Sequence, residues 1–361
     1  MNSILIVAVL LIVFLLFNLV IVISVKQLFS NSYIPAVGLN ISIIVAAKNE
    51  EKNIPLLIRS VKNLDYPKDK FEVIIADDNS VDGTYSVADK LISGENNFRL
   101  YKVGNKILPG KKGALSFGIG RSRSEHILIT DSDCRPEPRW LKIFAGMFGH
   151  GYDFIFGIAP FTQNKNLVNK LSCFENMRGW LLTLTAAKLG LPYSAAARNF
   201  GFKKSSFEKI KGYTNTSETL SGDDDLLLRE AYKNHLKIGV AASRDSFVFS
   251  FAKENFKDYF LQKSRHVKTS LHYLFRHKVL LGFWHILNLI LLFSFIPGFF
   301  HPVYLILFAV KLFIDAAAVS LTQQKFTYHF NFAEMIYLQI LYEVFLIINF
   351  LGAIARKDRW K

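Results

Sequence analysis

Two carboxylates, Asp131 and Asp133, stand one residue apart at the end of the apolar run Ile127-Leu-Ile-Thr130. If that run is a strand, residues i and i+2 share a face and the two acids point the same way. Paired carboxylates repel unless a cation lies between them. Their oxygen donors suit Mg2+ or Mn2+, hard ions that share ligands with substrate phosphates. The alternative is a solvated turn after a strand, and the residues elsewhere in the chain decide between the two.

Other polar clusters follow the same pattern, each directly after an apolar run. Lys48-Asn-Glu50-Glu51 follows Ile41–Ala46, and Asp77-Asp78-Asn-Ser80 follows Phe71–Ala76. Lys111 and Lys112 sit in a glycine-flanked segment, Gly110–Gly113. Asp223-Asp224-Asp225 precedes a helical pattern, where acids in the first turn also serve the helix dipole. Gln262 and Arg265 lie in a basic stretch farther on.

Between residues 40 and about 160 apolar runs alternate with amphipathic segments. The pattern predicts strands at 41–46, 71–76, 98–103, 125–130 and 153–159, and helices at 53–63, 84–93, 112–121 and 138–148. Continuous apolar strands alternating with short helices imply an α/β, mostly parallel sheet covered on both faces. Ligands then bind beyond the carboxyl ends of the strands, where the polar clusters sit. No GxGxxG or GxxxxGK[ST] is present, which argues against a dinucleotide-binding fold or a P-loop. From 161 to 250 the periodicity weakens; helices at 167–189 and 226–234 and a short strand at 199–204 are the readable elements.

The flanks are apolar. Of the 361 residues 51% are hydrophobic, 33 are Phe, and Lys plus Arg exceed Asp plus Glu by 44 to 29, a net charge of +15. Such a chain suits an anionic membrane surface or phosphorylated substrates. Nothing in it has the spacing of a nucleic-acid-binding motif. Two cysteines, Cys134 and Cys173, give no disulfide framework. Residues 1–25 carry no charged side chain and read as a retained membrane anchor. Residues 38–250 form the α/β domain, and 251–278 are basic interfacial helices with seven cations among aromatic residues. Residues 279–354 hold three apolar runs, and 355–361 are a basic tail. In the second run Lys311 and Asp315 are four apart and can pair within the membrane. The positive-inside rule favours two C-terminal crossings plus an interfacial or re-entrant third helix, with three full crossings as the alternative.

Taken in order, the motifs resemble those of the family-2 glycosyltransferases, inverting enzymes of GT-A fold that use nucleotide-diphosphate sugars. The resemblance covers roughly residues 40–270. Val45–Glu51 is similar to the family's first-strand signature, with Ala46 and Lys48 replacing its proline and arginine. Ala76–Thr84 matches the Asp-Asp-x-Ser-x-Asp-x-Thr segment that contacts the nucleobase, which makes Asp78 the partner of a uracil N–H. Gly110–Leu115 is similar to the Gly-Lys-x-x-Ala-Leu segment lining the donor site, with Ser116 in place of an asparagine. Asp131-Ser-Asp133 resembles the metal-binding Asp-x-Asp. Ser221–Arg229 resembles the segment whose aspartate is the general base. Counting back from Leu226 and Arg229 gives that role to Asp223, with Gly222 where the family has glutamate and Asp224 a rival by one register. Gln262-Lys-Ser-Arg265-His266 is similar to the Gln-x-x-Arg-Trp motif of membrane-bound members, with His266 for the tryptophan.

The resemblance implies Ala46, Lys48, Glu50, Asp77, Asp78, Lys111, Asp131 and Gln262 at the donor, and Asp131 and Asp133 at a Mg2+ or Mn2+ ion. Asp223 or Asp224 and Arg265 would be catalytic. The implied enzyme is a hexosyl- or N-acetylhexosaminyltransferase of the bacterial plasma membrane, with a cytoplasmic catalytic domain and a UDP-linked donor. Its acceptor would be a lipid or glycan at the membrane, with no nucleic-acid partner. A processive polysaccharide synthase and a non-catalytic scaffold are the competing readings. His266 and the small number of C-terminal apolar runs count against the first.

Overall fold

The computed structural model describes residues 2–31 and 35–355, and the chain divides into two compact units. The basic tail after Ala355 lies outside the described residues.

The first unit comprises Asn31–Thr162 and Pro192–Phe251. Its strands are β1 (Ile41–Ala47), β2 (Phe71–Asp77), β3 (Phe98–Lys102), β4 (His126–Asp131), β5 (Arg135–Pro136), β6 (Phe154–Gly157), β7 (Phe200–Lys203), β8 (Ile238–Ala241) and β9 (Val248–Phe249). Seven of them form one sheet in the order β3-β2-β1-β4-β7-β6-β8, and β5 pairs with β9. β1, β2, β3 and β4 run parallel, and only β7 runs against its neighbours β4 and β6. The mostly parallel sheet is as the alternation implies. Six of seven β1 residues are buried, as expected of a strand covered on both faces. The helix Gly110–Gly120 lies close on β1: a Cβ at Gly118 would come within 2.7 Å of Ile44 Cγ2, so glycine permits the approach.

Register does the positioning. Ala46 is the Cα partner of Ala76 on one side and of Asp131 on the other, and Ala47 is paired with Asp77. The acidic ends of β2 and β4 therefore flank the end of β1 at one edge of the sheet. Asp131 is the last residue of β4, whereas Asp133 is in the turn that follows. A shared strand face is thus not what brings the two acids together; the turn does so. The sequence pattern also leaves β5, β8 and β9 unread, short strands of two to four residues.

The second unit comprises the described residues up to Ser30, Gln163–Leu191, and those from Ala252 onward. Four of its helices are long and apolar enough to cross a membrane: Leu5–Ser30, Phe275–Gly298, Val303–Phe326 and Phe332–Ala353. The basic stretch divides into the helix Phe256–Ser270 and the first turn of the helix Phe275–Leu292. Midway along three helices of this unit is a fully buried set of charges. Lys311 Nζ is 2.7 Å from Asp315 Oδ2 and 3.6 Å from Glu343 Oε1, and Arg178 Nη2 is 3.0 Å from Asp315 Oδ1. Gln339 Nε2 donates to Glu343 Oε1 at 2.8 Å. Two cations balance two anions, which makes the set tolerable among apolar helices.

Removing one member of such a set leaves the others buried and uncompensated. Asp315→Asn should destabilise the protein by about 3–5 kcal/mol, whereas replacing Arg178, Lys311, Asp315 and Glu343 together by Met or Leu should cost far less. Unfolding in mixed detergent micelles measures both; a single variant as stable as the wild type contradicts the account.

Candidate active site

The loops beyond β1 and β2 interlock. Asn49 and Asn79 both take left-handed backbone conformations, at φ 56° and 55°, which asparagine tolerates better than most residues. The Asn49 N–H donates to Ser80 Oγ at 3.0 Å, and Asn49 Oδ1 accepts from Val81 N at 2.9 Å. The Glu50 N–H donates to Thr84 Oγ1 at 2.7 Å, and Glu51 Oε2 accepts from Gly83 N at 3.0 Å. Lys48 and Glu50 are half-buried on this knot, and Glu50 Oε2 accepts from Asn53 Nδ2 at 2.7 Å. The half-buried Ala46 lies in β1 just before it.

Asp77 and Asp78 are both buried. Asp77 Oδ2 accepts from Ser80 N at 3.3 Å, which closes the turn. Asp78 Oδ1 is 2.6 Å from Lys106 Nζ, and Asp78 Oδ2 is buried with no donor among the described residues. An orphaned carboxylate oxygen of this kind is costly unless a ligand N–H satisfies it. Lys106 carries no signal in the sequence: it is one lysine in a loop, and only the fold shows its partner.

At the end of β4, the side-chain donors of Asp131, Asp133 and Cys134 lie within 4.8 Å of one another. The two carboxylates fit a hard divalent ion. Cys134 offers a soft sulfur, which a hard ion disfavours beside carboxylate oxygens. Burial first, then the charges of Asp133 and Asp131, push its thiol well above the usual range. Its Sγ donates to Asp133 Oδ1 at 3.5 Å.

The chain then brings in Asp223 from 90 residues away. Lys111 Nζ is 2.6 Å from Asp131 Oδ1 and 2.6 Å from Asp223 Oδ2. Burial alone would lower the Lys111 pKa, but the two carboxylates more than reverse it, and the ammonium is held charged. Burial likewise pushes Asp223 up, and Lys111 overrides it, so its carboxyl titrates below the ordinary range. The neighbouring Lys112 donates to the carbonyls of Thr216 and, at 3.0 Å, Thr219, and so ties the loop before Asp223 to the same helix. Tyr213 is fully buried, with its hydroxyl unpartnered among the described residues. Burial, followed by Asp223, pushes that phenol well up.

Asp224 has a different setting. Its Oδ2 accepts from Ala197 N at 2.8 Å and its Oδ1 from Asp225 N at 2.7 Å, which makes it the N-cap of the helix Asp225–Lys233. Burial and then the charges of Asp225 and Asp223 push it up to about 8. Gly222, where the resemblance would have glutamate, sits at φ 75°, a conformation that favours glycine. Gln262 and Arg265 stand in the other unit, on the helix Phe256–Ser270, and both are half-buried.

The two candidate bases separate by pH, because kcat/KM reports groups of the free enzyme. A base at Asp223, whose carboxyl titrates below the ordinary range, keeps kcat/KM flat as pH falls through neutrality. A base at Asp224 loses activity as pH falls through about 8. The measured acid limb of sugar transfer distinguishes them.

Comparison with known proteins bears on the family and the fold. The family model described as glycosyl transferase family 2 matches residues 42–211. Among curated proteins, the chain is 28% identical over 141 residues to glycosyltransferase AglE of Haloferax volcanii, covering 38% of this chain and 46% of that one. It is 37% identical over 95 residues to a beta-monoglucosyldiacylglycerol synthase of Trichormus variabilis, covering 26% and 20% respectively. The chain thus spans less than half the length of these relatives. Among solved structures, a mannosyltransferase of Pyrobaculum calidifontis, in complex with GDP-Man and Mn2+, matches with a TM-score of 0.58 at 16% identity, covering 98% of this chain and 100% of that one. That likeness concerns the fold, which is GT-A. Residues 42–211, just under half of the chain, are a glycosyl transferase family 2 domain.

Proposed function

We propose that this chain is a membrane-bound inverting glycosyltransferase. It moves a sugar from a nucleotide-diphosphate sugar to a lipid or lipid-linked acceptor at the cytoplasmic membrane face. The observation that carries the reading is the Asp131–Lys111–Asp223 cluster, with Asp78 two strands away on the same sheet edge. Family membership gives the cluster its chemistry. The lipid acceptor is supported by the four apolar helices and by the diacylglycerol named for one relative.

Asp78 reads the nucleobase. Its orphaned oxygen accepts a ring N–H, which uracil and guanine offer and cytosine and adenine lack; of the two, the sequence motif around Asp78 favours a UDP-linked donor. Asp131 and Asp133 hold Mg2+ or Mn2+, which supplies positive charge for the departing diphosphate. Asp223 takes the acceptor hydroxyl's proton as that oxygen attacks the anomeric carbon from the side opposite the diphosphate. Lys111 and Arg265 provide further cations for the diphosphate, Arg265 bidentately. Glu50, Lys48, Ala46 and Asp77 shape the donor loop, and Gln262 belongs to the same donor set. The third C-terminal helix, Phe332–Ala355, is interfacial or re-entrant in this reading, which keeps the tail on the cytoplasmic side.

A screen of nucleotide-sugars against the purified protein in lipid should give nucleoside diphosphate release that stops in EDTA and in Asp133→Asn. Asp223→Asn should lower turnover by roughly two to four orders of magnitude with donor affinity little changed. Release that survives both EDTA and Asp133→Asn rules out the metal; full turnover in Asp223→Asn rules out the base.

A further inference from the structure

If Asp131 belongs to a metal and Asp223 to the acceptor's proton, the position of Lys111 becomes a problem. Its ammonium contacts both carboxylates at 2.6 Å, and its side chain is 14% exposed. Among the described residues these two acids are its only partners. Lys112 beside it is anchored on two backbone carbonyls, so the helix start itself is fixed. Gly113 fixes it further, because a Cβ there would meet Leu108 O at 1.9 Å. What can move is the four-carbon stem of Lys111, which carries a compact point charge.

A divalent cation arriving at Asp131 would be within a few ångströms of that ammonium, in surroundings that screen charge poorly. Asp131 cannot serve both at full strength. A diphosphate changes the balance, because it brings enough negative charge for the metal and the ammonium together.

We infer that Lys111 is the resident counterion of the Asp131/Asp223 pair, which keeps divalent metal from Asp131 until a nucleoside diphosphate arrives and then moves onto the diphosphate. This rests on the donor-site reading above. It makes metal and nucleotide each require the other, since coupling of binding is reciprocal. It also holds the Asp223 carboxylate engaged while no donor is bound, so that the acceptor's base is released only at a loaded site.

The test counts bound Mn2+ by electron paramagnetic resonance on the full-length protein in lipid nanodiscs, alone and with UDP or GDP. The wild type should take up one Mn2+ per chain with the matching nucleotide and bind it far more weakly without. Lys111→Met should bind Mn2+ without nucleotide at least about tenfold more tightly than the wild type, because one adjacent positive charge is gone. Lys111→Arg, which keeps the charge, should stay near the wild type. Asp131→Asn added to Lys111→Met should abolish the gain. Equal Mn2+ affinity of the wild type with and without nucleotide overturns the inference even if Lys111→Met does not fold, and so does a Lys111→Met protein that binds no more tightly. A wild type that takes up no Mn2+ with either nucleotide, yet transfers sugar in EDTA, instead removes the metal from the proposed function.

Discussion

Negative charge buried at the carboxyl edge of a parallel sheet is the constraint on which this site depends. Strand register places Asp77, Asp78 and the half-buried Asp131 around the end of β1, where burying carboxylates costs free energy without compensation. The chain supplies it with lysines from one segment. Lys106 meets Asp78, Lys111 meets Asp131 and Asp223, and Lys112 braces the loop that delivers Asp223. The segment from Lys106 to Lys112 thus neutralises Asp78 and Asp131 together. Its helix approaches the sheet closely enough because Gly118 has no side chain to hold it off.

The second unit solves the same problem differently. Arg178, Lys311, Asp315 and Glu343 neutralise one another with no edge open to solvent. Each is fully buried, and together they fix how three helices meet where apolar side chains alone would pack in many ways. Both sets retain buried polar atoms with no hydrogen-bond partner among the described residues, Asp77 Oδ1 and Asp78 Oδ2 in the first and Glu343 Oε2 and Gln339 Oε1 in the second. They differ in setting: the second set balances two cations against two anions among apolar helices.

Much of this was legible in the sequence because its signals are local. Continuous apolar runs marked β1, β2 and β4, and the polar residues after them marked the sheet edge. The four-residue spacing of Lys311 and Asp315 foretold their ion pair. Three things were not legible. Asp133 reaches Asp131 by a turn, and a period-two argument cannot see a turn. β5, β8 and β9 are too short for periodicity. The partners of Lys106 and Lys111 lie 28 and 112 residues away, at Asp78 and Asp223, and no spacing rule spans such distances. The register ambiguity between Asp223 and Asp224 has the same origin. Three adjacent acids look alike in a string, whereas in the fold one faces Lys111 and the next caps a helix. Gly222 shows the reverse: a departure from the family pattern coincides with a left-handed turn that suits glycine.

The central claim is that one carboxylate, Asp223, drives a single displacement at the anomeric carbon. The configuration of the newly formed glycosidic bond tests it most directly. Proton NMR of the product made from an α-linked nucleotide-sugar should show the β anomer alone. An α product would require two successive displacements or a front-side attack, and would contradict the assignment of Asp223 as the only base.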